Sequence, residues 1–269
     1  MHFRFQAMIA IATSFLTMLS LQNSPAFGIE TRANSSGAPR TAVLIELFTS
    51  EGCSSCPPAD VLLGQFERFQ PVPAADLIVL SEHVDDWDDI GWKDPYSSRQ
   101  FSLRQADYAH RFRLDEPYTP QMVVDGNIQL VGSDERQAIQ AIENAAKVDK
   151  IAISLSAPHL GNNSLTVHVE VGAALSRAKS AAGQVWIALA DDSDQSNVRR
   201  GENAGRILNH VAVVRAHTQV GMVEGNDTFS KDVTVSTGNA ILRKLRVVAI
   251  VQEGAAGRVL GVGSTRLSN

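Results

Sequence analysis

Glu51-Gly52-Cys53-Ser54-Ser55-Cys56-Pro57-Pro58 holds the only two cysteines of the 269-residue chain and follows closely on the apolar run Ala42-Val43-Leu44-Ile45-Glu46-Leu47-Phe48. That run is β-prone and almost unbroken, the pattern of a strand covered on both faces. Beyond the cysteines, Leu62, Leu63, Phe66 and Phe69 recur at helical spacing. A proline is tolerated only in the first turn of a helix, so Pro57 and Pro58 fix its start, with Ser55 or Cys56 as N-cap. Cys53 then lies just outside the helix, its sulfur facing the positive end of the dipole, where a thiolate is stabilised. Thiols so placed serve either reversible disulfide exchange, with Cys53 as nucleophile and Cys56 as resolving partner, or soft-metal binding.

Working outward, Leu77-Ile78-Val79-Leu80 reads as the core of a second, parallel strand over residues 75–84, completing a βαβ unit. It exits through the acidic loop Asp85-Asp86-Trp87-Asp88-Asp89, after which Phe101, Gln105, Tyr108 and Phe112 trace a helix face. Asp125-Gly126-Asn127 is a hairpin turn between two short strands, and Ser133 is expected to cap a helix with Ala138, Ile139, Ile142 and Ala146 buried. From Ile151 onward only strands are expected, seven of them, over 151–155, 164–171, 184–190, 208–214, 231–235, 245–251 and 258–262. The pattern is an α/β domain over 41–149 followed by an all-β sandwich over 150–269.

The N-terminus bears on the compartment. His2 and Arg4 precede an apolar segment, Met8 to Leu21, that is short for a membrane span, and Ser24-Pro25-Ala26 or Ala26-Phe27-Gly28 would serve as a cleavage site. Residues 1–28 therefore read as a secretory signal, the alternative being an uncleaved anchor, and 29–40 as a disordered leader. A secreted or periplasmic protein without stable membrane insertion is expected. The net charge of −5, with no dense Lys/Arg run, argues against a nucleic-acid partner. In an oxidising compartment a disulfide closing so short a loop is a weak staple, about 2 kcal/mol against roughly 3 for a 15-residue loop.

A strand ending in Cys-x-x-Cys at a helix start, then Tyr118-Thr119-Pro120-Gln121 before a short strand and hairpin, then a terminal helix, resembles the thioredoxin fold. More closely, residues 46–60, His83-Val84-Asp85, Gly91-Trp92-Lys93-Asp94-Pro95, Tyr118-Thr119-Pro120-Gln121 and Gly201-Glu202-Asn203-Ala204-Gly205-Arg206 resemble the signature segments of a family of exported bacterial thioredoxin-like proteins that carries a "domain of unknown function" label. The resemblance implies a thioredoxin-like domain in which Pro120 is a cis-proline opposite the dithiol. The backbone of Thr119 would then be offered to an extended substrate, with Tyr118 and Trp87 beside it. It also gives Glu46 the place of a buried carboxylate acting as base for the resolving thiol. Two departures leave the direction of electron flow open: the dipeptide between the cysteines is Ser54-Ser55, and no tryptophan precedes Cys53.

Each feature has a plainer reading. Glu46 could pair with an arginine, His83 could be a structural histidine rather than a thiolate partner or metal ligand, and the acidic loop could be solvated with Trp87 and Trp92 beneath it. The 199–206 segment could be a partner or anion site, or a long inter-strand loop whose arginines are solvated or pair with acids on the first domain. The expectation is a thiol–disulfide oxidoreductase acting on a protein or small-molecule thiol or disulfide, with no organic cofactor and no metal. The alternatives are Cu(I) or Zn(II) handling by Cys53, Cys56 and His83, or a binding module without exchange.

Overall fold

A computed structural model describes residue 2 and residues 39–173, 182–224, 227–238 and 244–267. The expected signal and almost all of the expected leader lie outside the described residues. In the first half the chain runs β1 (Thr41–Thr49), α1 (Pro57–Phe69), β2 (Ala75–His83), α2 (Arg99–Phe112), β3 (Gln121–Val124), β4 (Ile128–Val131) and α3 (Glu135–Ala145). That is the expected order. Pro57 and Pro58 open α1 with Cys56 as N-cap, whereas α3 is capped by Asp134, not Ser133: its carboxylate accepts the Gln137 N–H at 2.9 Å. No helix among the described residues is long and apolar enough to cross a membrane.

The unbroken apolar run of β1 is explained by helices on both sides. Val43, Ile45 and Leu47 face a core shared with Leu63 and Phe66 of α1 and Ile142 of α3. Leu44 and Phe48 face Phe101 and Tyr108 of α2. Burying a side chain such as Phe66 contributes on the order of 2–3 kcal/mol.

The second half departs from expectation. It contains β5 (Ile153–Leu155), β6 (His159–Leu160), β7 (Ser164–Val171), β8 (Gly183–Asn197), β9 (Ile207–Val223), β10 (Phe229–Ser236), β11 (Leu245–Gln252) and β12 (Val259–Arg266). Two sheets do pack face to face, but only one is separate. Strands β10, β7 and β5, with β6 on β7, form a four-stranded sheet, while the others extend the first sheet into eight strands, β12-β11-β8-β9-β2-β1-β3-β4. The sheet crosses the expected boundary where β9 pairs in parallel with β2, Ser81 opposite Val213. The architecture is a mixed α/β one, mostly β, around one large mixed sheet, rather than a domain followed by a detached sandwich.

Burial explains the continuity. Every residue of β11 is buried, because Val247, Ala249 and Val251 pack on the four-stranded sheet while Val248 and Ile250 join Phe101 and Tyr108 beneath α2. A strand covered on both faces cannot end a domain; it lies between layers.

Among the buried charges on the α2 face, Arg104 Nε donates to Glu46 Oε1 at 2.7 Å and the Tyr108 hydroxyl donates to Glu46 Oε2 at 2.6 Å. Arg104 Nε lies 3.6 Å from Glu82, whose carboxyl is held well above the usual range by burial and by Glu46 beside it. Removing the cation leaves Glu46 buried without its charge partner. Arg104→Met should therefore cost about 3–5 kcal/mol in urea unfolding, and adding Glu46→Gln should recover part of that loss. Equal losses in the single and double variants would contradict the pairing.

Candidate functional site

Cys53 and Cys56 form a disulfide at the exit of β1. The turn leading to it is held by backbone bonds, Cys53 N–H to Ser50 O at 3.2 Å and Cys56 N–H to Cys53 O at 3.2 Å, and α1 begins as Ala59 and Asp60 donate to Cys56 O. Both cysteines have no exposed surface, while Ser54 and Ser55 between them are exposed.

Contacts to the turn also come from far along the chain. The long β8–β9 hairpin carries its connecting loop, residues 198–206, onto the cysteine turn. There the Asn203 side-chain amide donates to Glu51 O at 2.8 Å and Cys53 O at 2.9 Å, and Glu202 Oε2 accepts the Ser54 N–H at 3.0 Å. The Ser54 side chain, and then its backbone N–H, lower the Glu202 pKa from the ordinary carboxylate value. Gly201 permits the approach: its φ is +73°, and a β-carbon there would stand 3.1 Å from Trp92 Cβ.

Beneath the turn lies a buried polar cluster centred on Glu51. Trp92 Nε1 donates to Glu51 Oε2 at 2.8 Å, His210 Nε2 lies 3.1 Å from Glu51 Oε1, and the Glu51 N–H donates to Asp94 Oδ2 at 2.8 Å. The same Asp94 oxygen is 2.7 Å from His83 Nδ1. Asp60, one helical turn after Cys56, accepts the Thr49 hydroxyl at 2.9 Å and lies 4.0 Å from His210 Nδ1. Burial raises the Asp60 pKa, with His210, His83 and Thr49 opposing. Burial presses His83 toward its neutral form, but Asp94, with Asp60 and Glu51, outweighs it and holds the pKa above the ordinary imidazole value. Burial likewise pushes Asp94 up, and His83 with the backbone donors brings it below the ordinary value.

The expected site residues are gathered only in part. The Thr119–Pro120 bond is cis, and one step beyond the Phe48–Gln121 pair of the β1–β3 ladder Pro120 lies level with Thr49. Trp87, Tyr118 and Thr119 line one cleft of about 440 Å³, and Trp87 abuts Gly52, where a β-carbon would stand 2.9 Å from Trp87 Cβ. His83 is engaged by Asp94, its Nε2 without a hydrogen bond among the described residues. Glu46 points to the α2 side of the sheet with both oxygens taken by Arg104 and Tyr108, so the arginine pairing is the arrangement found. Among the described residues no three His, Cys, Asp or Glu side chains are grouped to hold a metal ion. Sequence reasoning met Asp60, Asp94, Glu202 and Asn203 only within signature segments and gave neither them nor His210 a role in the site. The spacing of Asp60 four residues after Cys56, on one helix face, was the available signal for it.

A disulfide at a strand exit and helix start, a cis-proline level with the last residue of that strand, and a mixed eight-stranded sheet define the class: an α/β protein with a covered Cys-x-x-Cys turn. The chain belongs to the family described as "Protein of unknown function (DUF1223)", which matches residues 44–252. Among solved structures, protein AGR_C_4864 from Agrobacterium tumefaciens is similar, with 22% identity and a TM-score of 0.66 over 87% of this chain and 97% of that one. HBP35 of Porphyromonas gingivalis is similar at 13% identity and a TM-score of 0.56, over 86% of this chain and 76% of that one. At these identities the likeness is one of fold. Among curated proteins no sequence matches the chain.

The His83–Asp94 pair gives stability a defined pH window. Because the His83 pKa is raised in the folded state, its contribution is fully present below about pH 6.5 and is lost as pH rises through the folded value. The Asp94 pKa is lowered, so its contribution is present above about pH 4 and is lost as pH falls through the folded value. His83→Gln should thus lower the unfolding midpoint more at pH 6 than at pH 9, as read by thermal melts across that range. A penalty independent of pH would show that the pair is not ionic.

Proposed function

We propose that this chain is an exported, thioredoxin-like thiol–disulfide exchange protein acting through Cys53 and Cys56. The observation that carries the proposal is the position of the disulfide, between the end of β1 and the N-terminus of α1, with the cis Thr119–Pro120 bond beside the last residue of that strand. A thiolate formed by Cys53 there benefits from the helix dipole.

In the reduced form the Cys53 thiolate attacks one sulfur of a substrate disulfide. The substrate S–S bond breaks, a mixed disulfide forms, and the displaced substrate sulfur leaves as a thiolate that takes a proton. Cys56, deprotonated, then attacks Cys53 Sγ, re-forming the Cys53–Cys56 bond and releasing the second substrate thiolate. Two electrons and two protons pass from the protein dithiol to the substrate. With a substrate dithiol as the attacking partner the same steps run in reverse. Asp60, one turn after Cys56 and with a raised pKa, is the nearby carboxyl suited to exchange that proton.

Because both cysteines are covered, exchange requires the 198–206 loop to release Glu51, Cys53 and Ser54. Losing the two Asn203 bonds is worth about 1–3 kcal/mol, a tenth to a hundredth of the closing equilibrium.

Equilibrating the purified protein in glutathione buffers tests the proposal. A reversible two-electron transition with a potential above about −300 mV is expected, a Cys56→Ser variant should accumulate a mixed disulfide, and Cys53→Ser should not. Irreducibility of the native disulfide in those buffers would sink it. Separately, Asn203→Ala should speed reduction by dithiothreitol about ten- to a hundredfold, measured by thiol labelling against time. An unchanged rate would show that the loop does not guard the sulfurs.

A further inference from the structure

The cleft beside the cysteine turn combines acceptors and aromatic faces with aliphatic patches from Val84, Ile90 and Pro117, and no cationic side chain is in its lining. Asp86 and Glu116 are exposed on its rim, and neither forms an ion pair among the described residues. Gln105 is 2% exposed; its amide nitrogen is spent on Tyr118 O at 2.7 Å and Gln121 Oε1 at 3.0 Å. Its carbonyl oxygen makes no hydrogen bond among the described residues, so an acceptor of the cleft lining is left free. The Thr119 hydroxyl oxygen is shielded from solvent and is likewise unpartnered. Trp87 and Tyr118 supply the aromatic walls.

We infer that this cleft binds a lysine or arginine side chain of an extended polypeptide that presents its cysteine or disulfide to Cys53. An anionic ligand would meet two carboxylates with no compensating cation, and an apolar one would leave the Gln105 oxygen buried without a donor. A cationic side chain satisfies all of these: its N–H groups answer Gln105 and the rim carboxylates, and its charge lies against the Trp87 and Tyr118 rings. A volume of about 440 Å³ admits such a side chain with part of its backbone. Trp87 belongs at once to the cleft and to the wall behind Gly52, and Thr119 precedes Pro120, so a cation seated here lies next to the cysteine turn.

The inference names the substrate class for the exchange proposed above, and its test uses no exchange chemistry. The oxidised full-length protein is titrated calorimetrically with short cysteine-free peptides that differ only in a central Lys, Arg, Gln or Glu. Lys and Arg peptides should bind at least about tenfold more tightly than the Gln peptide, with the Glu peptide weakest and the preference shrinking as salt is raised. Asp86→Asn with Glu116→Gln, both at exposed positions, should abolish the Lys-over-Gln preference. Equal affinities for Lys and Gln peptides, or a preference that survives the double variant, would overturn the inference. Either result stands apart from the glutathione equilibration, so a failure of exchange and a failure of cation recognition are read separately.

Discussion

Glu51 ties three separated segments of chain to the turn that carries the disulfide. Its carboxylate is held by Trp92 from the loop after β2 and by His210 from β9, while its backbone gives its N–H to Asp94 and its carbonyl to Asn203. None of these groups is open to solvent except part of Trp92, so each bond is made in a medium where leaving it unmade would cost the full desolvation of its partners. The geometry of the Cys53–Cys56 turn is thus set less by its own four residues than by what is packed beneath and over it.

The large sheet makes that convergence possible. The β8–β9 hairpin continues a sheet begun by β1 and β2, and hydrogen bonds from Glu202 and Asn203 bring its connecting loop onto the cysteine turn. A detached sandwich would have no fixed relation to the disulfide. Sharing one sheet gives the 198–206 loop a defined position, from which a single amide side chain bonds two carbonyls of the turn.

Much of the first half was legible because local rules decide it. Two prolines can open only a first helical turn, and an unbroken apolar strand needs cover on both sides; α1 and β1 follow those rules. The second half was less legible because distant pairings override local pattern. Asp191-Asp192-Ser193-Asp194-Gln195-Ser196-Asn197 reads as the end of a strand, yet β8 continues through it, because Arg215 pairs with Asp191 and Asp194 and Arg246 with Asp192. Glu46 shows the same limit: its neighbours in sequence reveal that it is buried, but not that its partner is Arg104, 58 residues away. In the site, Cys53, Cys56 and Pro120 could be named from their motif. Asn203 and His210 could not be given a role, since nothing local to them signals that their hydrogen-bonding groups are used on the cysteine turn.

The parallel pairing of β9 with β2 also shapes how the chain must fold. Until residues 207–223 arrive, β2 is an unpaired edge, and the helices of the first half cover a sheet that lacks its centre. Closing a connection of that length is entropically slow, and an open apolar edge invites pairing with other chains meanwhile. The β2 edge is therefore covered only when the rest of the chain has been made, and so is the cysteine turn onto which the 198–206 loop folds.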